Sequence, residues 1–401
     1  MAAQLTLVSL FSGAGGLDIG LERAGWIPVV GTDRDADAMA TLTASQERGI
    51  DVANNFGRVH LQGTRLIPAD VVQLAASDLR PAGASRSWRP SLLAGGPPCQ
   101  PWSSAGLQMG FKDPRGLMIA QMIRLTDELR PRYVLMENVR GLLTAGGPKG
   151  YHGEAIRIIQ QEWENLGYAV AWGILNAADF GAAQRRVRLV MIATSDHELP
   201  PIPEATHSKL PSGGWKPWVT LGEFLSHLPS ADPDDVVVPS GVREAELRRL
   251  RPGSGLRTGG KVEHQRPGGH WGYRQDSFVA DPMLPSRTIR AAATPDWLRF
   301  PDGYMRRLTW RECAALQGFP VDWEFSGTRE SRFRQIGNAV QADMAEAVGV
   351  AIAAALRMGP GRVAPESPPW PEYFHRRIRG ASADHRANAA SRTRRSRPKA
   401  S

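Results

Sequence analysis

Residues 5–33 read LTLVSLFSGAGGLDIGLERAGWIPVVGTD, and this stretch is the most informative about the fold. Its first part, residues 5–11, is apolar and strand-forming, and the glycine-rich sequence FSGAGG at 11–16 follows it. A helix-like pattern comes next, and a second short strand at 29–32 ends beside Asp33. A strand, a glycine turn, a helix and a strand that ends in an acid are typical of the nucleotide-binding half of a doubly wound sheet.

The alternation of strand and helix patterns continues to about residue 195. Short apolar runs predict further buried strands at 92–94, 133–136 and 188–193. Helix-like patterns lie at 118–129, 153–166, 306–317 and 339–356. This alternation predicts an α/β protein with a doubly wound, Rossmann-like sheet.

The texture of the sequence changes between about residues 200 and 285, where proline and glycine rise and periodicity is poor. Such a segment is typical of a loop-rich second domain. We predict a larger domain formed by residues 1–195 plus about 330–360, and a smaller, loop-rich domain at about 196–329. Residues 361–401 are predicted to be a basic, disordered tail.

The net charge of +9 is concentrated near the C-terminus. Residues 362–401 contain ten Lys or Arg and three Asp or Glu, so this segment carries seven of the nine charges. The charge of the remaining chain therefore does not by itself identify a nucleic-acid-binding protein. Two interpretations of the tail remain open: an arm that contacts phosphates, or a solubilising extension.

Cysteine is rare in this chain, which has Cys99 and Cys313 alone. Two cysteines cannot form a disulfide framework and are too few for a structural zinc site without histidines, so we expect no metal and a cytoplasmic location. No apolar run predicts a membrane span, and the N-terminus lacks the basic flank of a signal peptide. Cys313 lies in an apolar, helix-like pattern and is predicted to be a core residue.

Cys99 has a different setting, in the sequence GGPPCQPWS at 95–103. Two glycines and three prolines specify a stiff, shaped loop directly after the strand at 92–94. Ligands of doubly wound sheets bind at such strand ends, whereas a structural cysteine usually lies in an apolar periodic pattern. We therefore interpret Cys99 as a nucleophile.

The sequence PPCQP at 97–101 resembles the catalytic loop of the DNA cytosine-5 methyltransferases, and the resemblance covers most of the chain. The other matching motifs occur in the family's order: FSGAGG at 11–16, ENV at 137–139, QRRVR at 184–188, RTIR at 287–290, QGFP at 317–320 and GNAV at 337–340. Gln341 is a departure, since proline is common there in the family. Among family members, the chain is similar to the modification enzymes of type II restriction–modification systems.

The resemblance implies methyl transfer from S-adenosylmethionine to carbon 5 of a cytosine within a specific double-stranded DNA sequence. It implies that Cys99 adds to carbon 6 of the ring while Glu137 contacts N3 and the exocyclic amine. Arg188 is implied to hold the cytosine O2, with Arg186 supporting the cysteine loop, and their spacing on a predicted strand puts both on one face. The implied cofactor-binding residues are Phe11, Ser12, Gly13, Gly15, Gly16, Asp33, Asp70, Pro97, Asn338, Ala339 and Val340.

This chemistry requires the target cytosine to leave the duplex, because carbon 6 of a stacked base is out of reach. Residues 103–115 resemble the mobile loop that closes over the flipped base, and Gln100 and Ser103 are implied to contact the DNA backbone. Sequence recognition is expected at about 200–287, which makes the smaller domain the target-recognition domain. The candidate DNA-facing residues there are Arg257, Lys261, His264, Arg266 and Arg274, none of them assigned to a base.

Three other functions remain open. A tRNA cytosine-5 methyltransferase would have the same core motifs, a non-catalytic DNA-binding module could retain the fold, and an NAD-dependent oxidoreductase would fit the glycine turn and Asp33. The basic, irregular segment after residue 200 favours DNA, and intact Cys99, Glu137 and Arg188 favour an enzyme. By the resemblance we expect a monomer, and a cognate restriction endonuclease that acts on the same site without forming a stable complex.

Overall fold

The computed structural model describes residues 4–52, 59–98, 117–146, 153–196, 201–211, 214–256 and 276–359. Its strands are β1 (Thr6–Leu10), β2 (Ile27–Asp33), β3 (Arg65–Pro68), β4 (Leu92–Gly95), β5 (Tyr133–Val139), β6 (Ala169–Asn176), β7 (Gln184–Arg185), β8 (Val187–Thr194), β9 (His207–Ser208), β10 (Lys216–Pro217), β11 (Ser286–Arg287), β12 (Trp297–Arg299) and β13 (Met305–Arg307). Its α-helices are α1 (Gly16–Arg23), α2 (Ala36–Arg48), α3 (Met118–Leu129), α4 (Glu154–Asn165), α5 (Leu221–Ser226), α6 (Gly241–Arg248), α7 (Trp310–Leu316), α8 (Arg329–Asn338) and α9 (Ala342–Met358).

Seven strands form one sheet in the order β3-β2-β1-β4-β5-β8-β6. Strand β1 pairs in parallel with β2 and β4, and the parallel pairing continues to β3 on one side and β5 on the other. Strand β8 lies between β5 and β6 and is antiparallel to both. The strand order reverses between β1 and β4, which confirms the doubly wound α/β fold and defines the crevice where such sheets bind ligands.

Alternate residues of the central strands contribute to two separate cores. On one face of the sheet, Val8 and Leu93 belong to a core with residues of α3 and α4. On the other face, Leu7 and Leu92 belong to a core with residues of α1 and α9. Helices therefore cover both faces of the sheet, as a largely parallel sheet requires.

The segment Arg329–Met358 is long and apolar enough, by composition, to cross a membrane. Its most apolar window is nevertheless 67% buried inside the protein. Val348 and Ile352 of α9 lie in the core against the sheet. The apolar part of this segment is therefore a core helix of the folded chain.

The helix predicted at 306–317 is shorter in the structure. Met305–Arg307 forms strand β13, which pairs with β12, and α7 begins only at Trp310. The side chain of Thr309 accepts a hydrogen bond from the backbone N of Glu312, and the Glu312 carboxylate accepts one from the backbone N of Thr309. This capping box determines where the helix starts, and the apolar pattern did not reveal it.

The helix predicted at 339–356 begins later, at Ala342. Gln341 is its N-cap, and the Gln341 side chain accepts a hydrogen bond of 2.9 Å from the backbone N of Met344. The residue that departs from the family pattern therefore caps α9. Helix α8, Arg329–Asn338, was not predicted, because its polar sequence has little apolar periodicity.

The predicted smaller domain contains only short elements in its described part, which are β9 to β13 and α5 to α7. Four of its residues form a small core: Leu247, Val279, Trp297 and Met305. A larger cluster crosses the predicted boundary at about residue 330, because it unites Ile19 of α1, Trp310 of α7 and Phe333 of α8. The two predicted domains therefore share part of their apolar packing.

Candidate active site

The glycine loop, residues 11–16, leaves the C-terminal end of β1 in the crevice of the sheet. The backbone N of Gly13 donates a hydrogen bond of 2.9 Å to Oδ2 of Asp33, which ties the loop to the end of β2. Phe11 and Gly13 have φ of 54°, and Gly15 has φ of 93°. A Cβ atom at Gly13 would meet nothing within 4 Å, so this part of the loop is open to a ligand.

The Asp33 carboxylate faces the same crevice. Its Oδ1 accepts a 2.8 Å hydrogen bond from the backbone N of Asp35, in addition to the bond from Gly13. Burial raises the pKa of Asp33, and the backbone N–H groups partly offset this effect. A carboxylate has about four acceptor positions, so the side chain retains capacity for hydroxyl groups of a ligand.

Asp70 is the more exposed of the two acids implied to bind the cofactor. Its carboxylate accepts a 3.1 Å hydrogen bond from the backbone N of Val72 and caps a short 3₁₀ turn. It also forms a 3.1 Å ion pair with Arg34, the residue that follows Asp33. The position is compatible with a ligand contact, but these bonds also give Asp70 a structural role.

The turn at 338–340 connects α8 to α9 and lies on the glycine loop. A Cβ atom at Gly16 would overlap the backbone O of Val340, so the two segments are in direct contact. Ala339 and Val340 are buried, whereas Asn338 is exposed. The structure thus brings the first and last motifs of the chain together at one edge of the sheet.

Glu137 lies near the C-terminal end of β5 and is 8% exposed. Its Oε1 atom is 3.0 Å from Nε of Arg188, although no described residue makes a well-aligned hydrogen bond to Oε1. Burial raises the pKa of Glu137, and the charges of Arg188 and Arg186 partly offset this effect. A buried carboxyl with a raised pKa is suited to general acid chemistry.

The segment that leads to Cys99 lies against this carboxyl. Oε2 of Glu137 is 3.5 Å from the position that a Cβ atom would take at Gly96. Nδ2 of Asn138 donates a 3.1 Å hydrogen bond to the backbone O of Pro97. Glu137 and the start of the proline loop are therefore neighbours, held together by the adjacent Asn138.

Several residues expected to act in the site lie outside the described residues. They are Cys99, Gln100 and Ser103, the loop at 103–115, and the five basic residues Arg257, Lys261, His264, Arg266 and Arg274. Cys313 is described and is fully buried, which confirms the prediction of a core residue. Burial raises the pKa of the Cys313 thiol well above its ordinary value, so this cysteine is a poor nucleophile.

The Arg186 side chain makes its hydrogen bonds away from Glu137, although its charge, like that of Arg188, lowers the pKa of that carboxyl. Residue 186 lies between β7 and β8, and its buried guanidinium donates hydrogen bonds to the backbone O atoms of Ile289, Gly337 and Ala339 at 3.1, 3.0 and 2.7 Å. These hydrogen bonds tie the 287–290 segment to the turn at 338–340. The expectation that Arg186 supports the cysteine loop stays a prediction, because the loop from residue 99 lies outside the described residues.

Gln184 and Gln317 complete this buried polar cluster. Nε2 of Gln184 donates to Oε1 of Gln317 at 2.9 Å, and Oε1 of Gln184 accepts from the backbone N of Ile289 at 3.0 Å. Nε2 of Gln317 donates to the backbone O of Ala339 at 3.2 Å. No role was predicted for Gln317; its position in the QGFP motif was the available signal.

Within the described residues there is no group of three or more His, Cys, Asp or Glu that could hold a metal ion. The polar groups of the crevice are instead carboxylates, one arginine and backbone N–H groups. Such groups bind hydroxyls, amines and a polar heterocycle. The crevice is therefore suited to a nucleoside-like cofactor beside a polar ring.

A largely parallel sheet with a glycine loop after β1, and with β8 inserted antiparallel between β5 and β6, is consistent with the Rossmann-like methyltransferase fold. The family model for C-5 cytosine-specific DNA methylase matches residues 5–354, so the chain belongs to this family of enzymes.

The chain is similar over most of its length to several curated relatives. It is 30% identical over 374 residues to the type II methyltransferase M.PspPI of Psychrobacter sp., covering 88% of this chain and 80% of the relative. It is 32% identical over 368 residues to M.NaeI of Lentzea aerocolonigenes, covering 89% and 77%. It is 31% identical over 360 residues to M.NgoMIV of Neisseria gonorrhoeae, covering 88% and 99%.

Solved structures of low sequence identity have the same fold. A putative DNA modification methyltransferase from an Escherichia coli prophage has a TM-score of 0.57 at 22% identity, and covers 88% of this chain and 99% of its own. The methyltransferase EhMeth of Entamoeba histolytica has a TM-score of 0.59 at 14% identity, with the same two coverages.

Proposed function

We propose that the chain methylates carbon 5 of a flipped-out cytosine in a specific duplex DNA sequence, with S-adenosylmethionine as the donor and Cys99 as the covalent nucleophile. The observation that carries the proposal is the buried Glu137 carboxyl, which lies 3.0 Å from Arg188 and beside Gly96, three residues before Cys99. A buried acid with a raised pKa and a cation, both beside the loop of a cysteine, form the set that addition to a pyrimidine ring requires.

The residues that would hold S-adenosylmethionine are those of the crevice. Asp33 has acceptor capacity for ribose hydroxyls, and the open side of Gly13 allows a ligand to approach the backbone. Phe11, Ser12, Gly15, Gly16, Asp70, Pro97, Asn338, Ala339 and Val340 are the further cofactor-binding residues of the proposal. When bound, this cofactor supplies an electrophilic methyl group to carbon 5 and becomes a thioether.

In the proposed reaction, the Cys99 thiolate forms a bond to carbon 6 and the ring accepts the electron pair. Glu137 donates a proton to ring N3 and so neutralises the charge that the addition creates. Arg188 donates to the cytosine O2 and orients the Glu137 carboxyl. After methylation, water acts as the base that removes the proton from carbon 5, the electron pair re-forms the double bond, and the Cys99 thiolate leaves. Ring N3 returns its proton to Glu137, which restores the acid and gives neutral 5-methylcytosine.

The covalent step is tested by Cys99→Ser together with duplex DNA that carries 5-fluorocytosine at the target. Since fluorine cannot leave as a proton does, we expect the native enzyme to remain joined to this DNA in a denaturing gel. The Cys99→Ser variant should bind DNA but neither transfer methyl groups nor form the adduct. Full activity of the variant, or recovery of only free native enzyme, would reject the mechanism.

The substrate is tested by bisulfite sequencing of DNA from cells that express the chain. Methylation should appear at the cytosines of one short sequence and protect that sequence from a restriction endonuclease that cuts it. The relatives named above are type II methyltransferases, which supports a place in a restriction–modification system. Methyl incorporation into tRNA but not duplex DNA would favour the RNA alternative. The enzyme is expected to act as a cytoplasmic monomer.

A further inference from the structure

The short strand pair that joins the two predicted domains places two arginines side by side. Strands β7 and β11 pair in parallel, and Arg185 lies opposite Arg287. The backbone N of Ser286 donates a 2.8 Å hydrogen bond to the backbone O of Ala183, and Oγ1 of Thr288 donates one of 2.9 Å to the backbone O of Arg185. Two like charges on neighbouring strands repel each other, so each guanidinium requires a group that offsets its charge.

Arg287 has such groups within the protein. Its Nε atom donates a 2.8 Å hydrogen bond to Oδ2 of Asp296, and its Nη2 atom contacts Oδ1 of the same carboxylate. The guanidinium also lies over the ring of Phe278, 3.5 Å from the ring centroid. A bidentate carboxylate and an aromatic face are favourable partners of an arginine. The charge of Arg287 is therefore offset without a ligand.

Arg185 has no partner of this kind. Its Nε atom is buried and makes no hydrogen bond to a described residue. In the described part of the chain, no carboxylate forms an ion pair with its guanidinium. Burial lowers the pKa of Arg185 and the charge of Arg287 lowers it further, while Asp281 and Asp296 oppose these effects. A half-buried guanidinium that has unused donors beside a second cation is suited to an anion from outside the protein.

Both arginines line a small concavity, which also contains two acids, Asp281 and Asp296. Each acid already has a partner in the protein. Asp296 binds Arg287, and Oδ1 of Asp281 accepts a 3.0 Å hydrogen bond from the backbone N of Met283. The concavity is too small to enclose a nucleoside, but a single phosphate oxygen at its mouth can reach a guanidinium. Arg185 therefore remains available to such a group.

We propose that Arg185 binds a phosphate of the DNA backbone where the two predicted domains meet. The inference rests on the proposed function, because it takes duplex DNA as the substrate. Arg185 is three residues before Arg188, so their Cα atoms are at most about 11 Å apart. A phosphate close to the target nucleotide is therefore within reach. This contact positions the duplex against both domains and carries no sequence information, as is usual for phosphate contacts.

The experiment is binding of the full chain to a short fluorescent DNA duplex of arbitrary sequence, measured by anisotropy between about 50 and about 200 mM salt. Each phosphate that a cation neutralises contributes about 0.9 to the slope of log K against the logarithm of salt concentration. Arg185→Ala should therefore lower this slope by about 0.9 and weaken binding about tenfold at the lowest salt concentration. Arg185→Lys keeps the charge and should restore most of the slope.

Asp281→Asn distinguishes a phosphate site from an ion pair within the protein. The asparagine keeps an oxygen for the backbone N of Met283 but removes a negative charge from the concavity. We expect this variant to bind DNA more tightly than the native chain, because the phosphate is no longer repelled. An internal pair between Arg185 and Asp281 would instead make both Asp281→Asn and Arg185→Ala unfold at lower temperature with unchanged DNA binding, and that result would overturn the inference.

Arg157→Ala is the matched control, because it removes an exposed arginine from α4. This variant should have the native slope and the native DNA affinity, and S-adenosylmethionine should bind all the variants as it binds the native chain. A native slope for Arg185→Ala, or a loss of slope no larger than that of Arg157→Ala, would overturn the inference while the proposed function stands. Failure of the native chain itself to bind duplex DNA would instead reject the proposed function.

Discussion

At the scale of single residues, the buried carboxyls Glu137 and Asp18 differ in the neighbouring groups that offset the free-energy cost of burying them. Glu137 has the Arg188 Nε atom at 3.0 Å, whereas Asp18 has no short hydrogen bond to any described residue. Burial nevertheless raises the pKa of both. We assign Glu137 to proton donation, because it lies beside the proline loop.

Glu137→Gln should lower kcat by roughly 10²- to 10⁴-fold, the usual contribution of a general acid. Because the protonated carboxyl is the active form and its pKa is raised, kcat of the native enzyme should fall as pH rises through that pKa. The variant should lack this alkaline decline and retain DNA affinity. The measurement is single-turnover methylation against pH, with the exposed Glu162→Gln on α4 as control. A native rate in the Gln variant would remove Glu137 from the chemistry.

At the scale of elements, the cluster of Gln184, Arg186 and Gln317 connects three segments that are distant in the chain. Arg186 bonds backbone carbonyls that are 103, 151 and 153 residues away. Packing is also close here, since a Cβ atom at Gly337 would overlap the backbone at 290–291. The turn at 338–340 is therefore positioned against the glycine loop by a polar side chain from the edge of the sheet.

Arg186→Met should lower the free energy of unfolding by about 3 kcal/mol or more, because it leaves buried carbonyls without donors. It should also weaken S-adenosylmethionine binding, since the turn at 338–340 loses its anchor. Urea unfolding and titration calorimetry provide the two measurements. Arg332→Met is a control of the same type in α8, and should change stability by less than half as much. Equal effects of the two substitutions would mean that Arg186 only fills space.

At the scale of the whole molecule, apolar packing joins the two domains that were predicted from the change in composition and periodicity near residue 200. The cluster that contains Ile19, Trp310 and Phe333 also includes Leu221 and Ala280 of the predicted smaller domain. Packing of this kind connects the predicted smaller domain to the helix that follows the glycine loop. Binding of S-adenosylmethionine in the crevice should therefore also stabilise parts of the chain outside the sheet.

Thermal unfolding of the full chain should accordingly show one cooperative transition. S-adenosylmethionine at 100 times its Kd should stabilise the whole transition by about 2.7 kcal/mol, as linkage requires for one site. Differential scanning calorimetry with and without the ligand makes the measurement, with NAD as the control ligand that should produce no shift. Two resolved transitions, of which only one moves, would contradict shared packing and support independent domains.

Features encoded by neighbouring residues could be predicted before the structure was known. The strand, glycine turn and acid of residues 5–33, the helix at Met118–Leu129 and the buried Cys313 all follow from local pattern, because helices, strands and turns are specified over a few residues. Long-range contacts had no such signal. The carbonyls that Arg186 bonds and the approach of Glu137 to Gly96 exist only because the folded chain brings distant segments into contact.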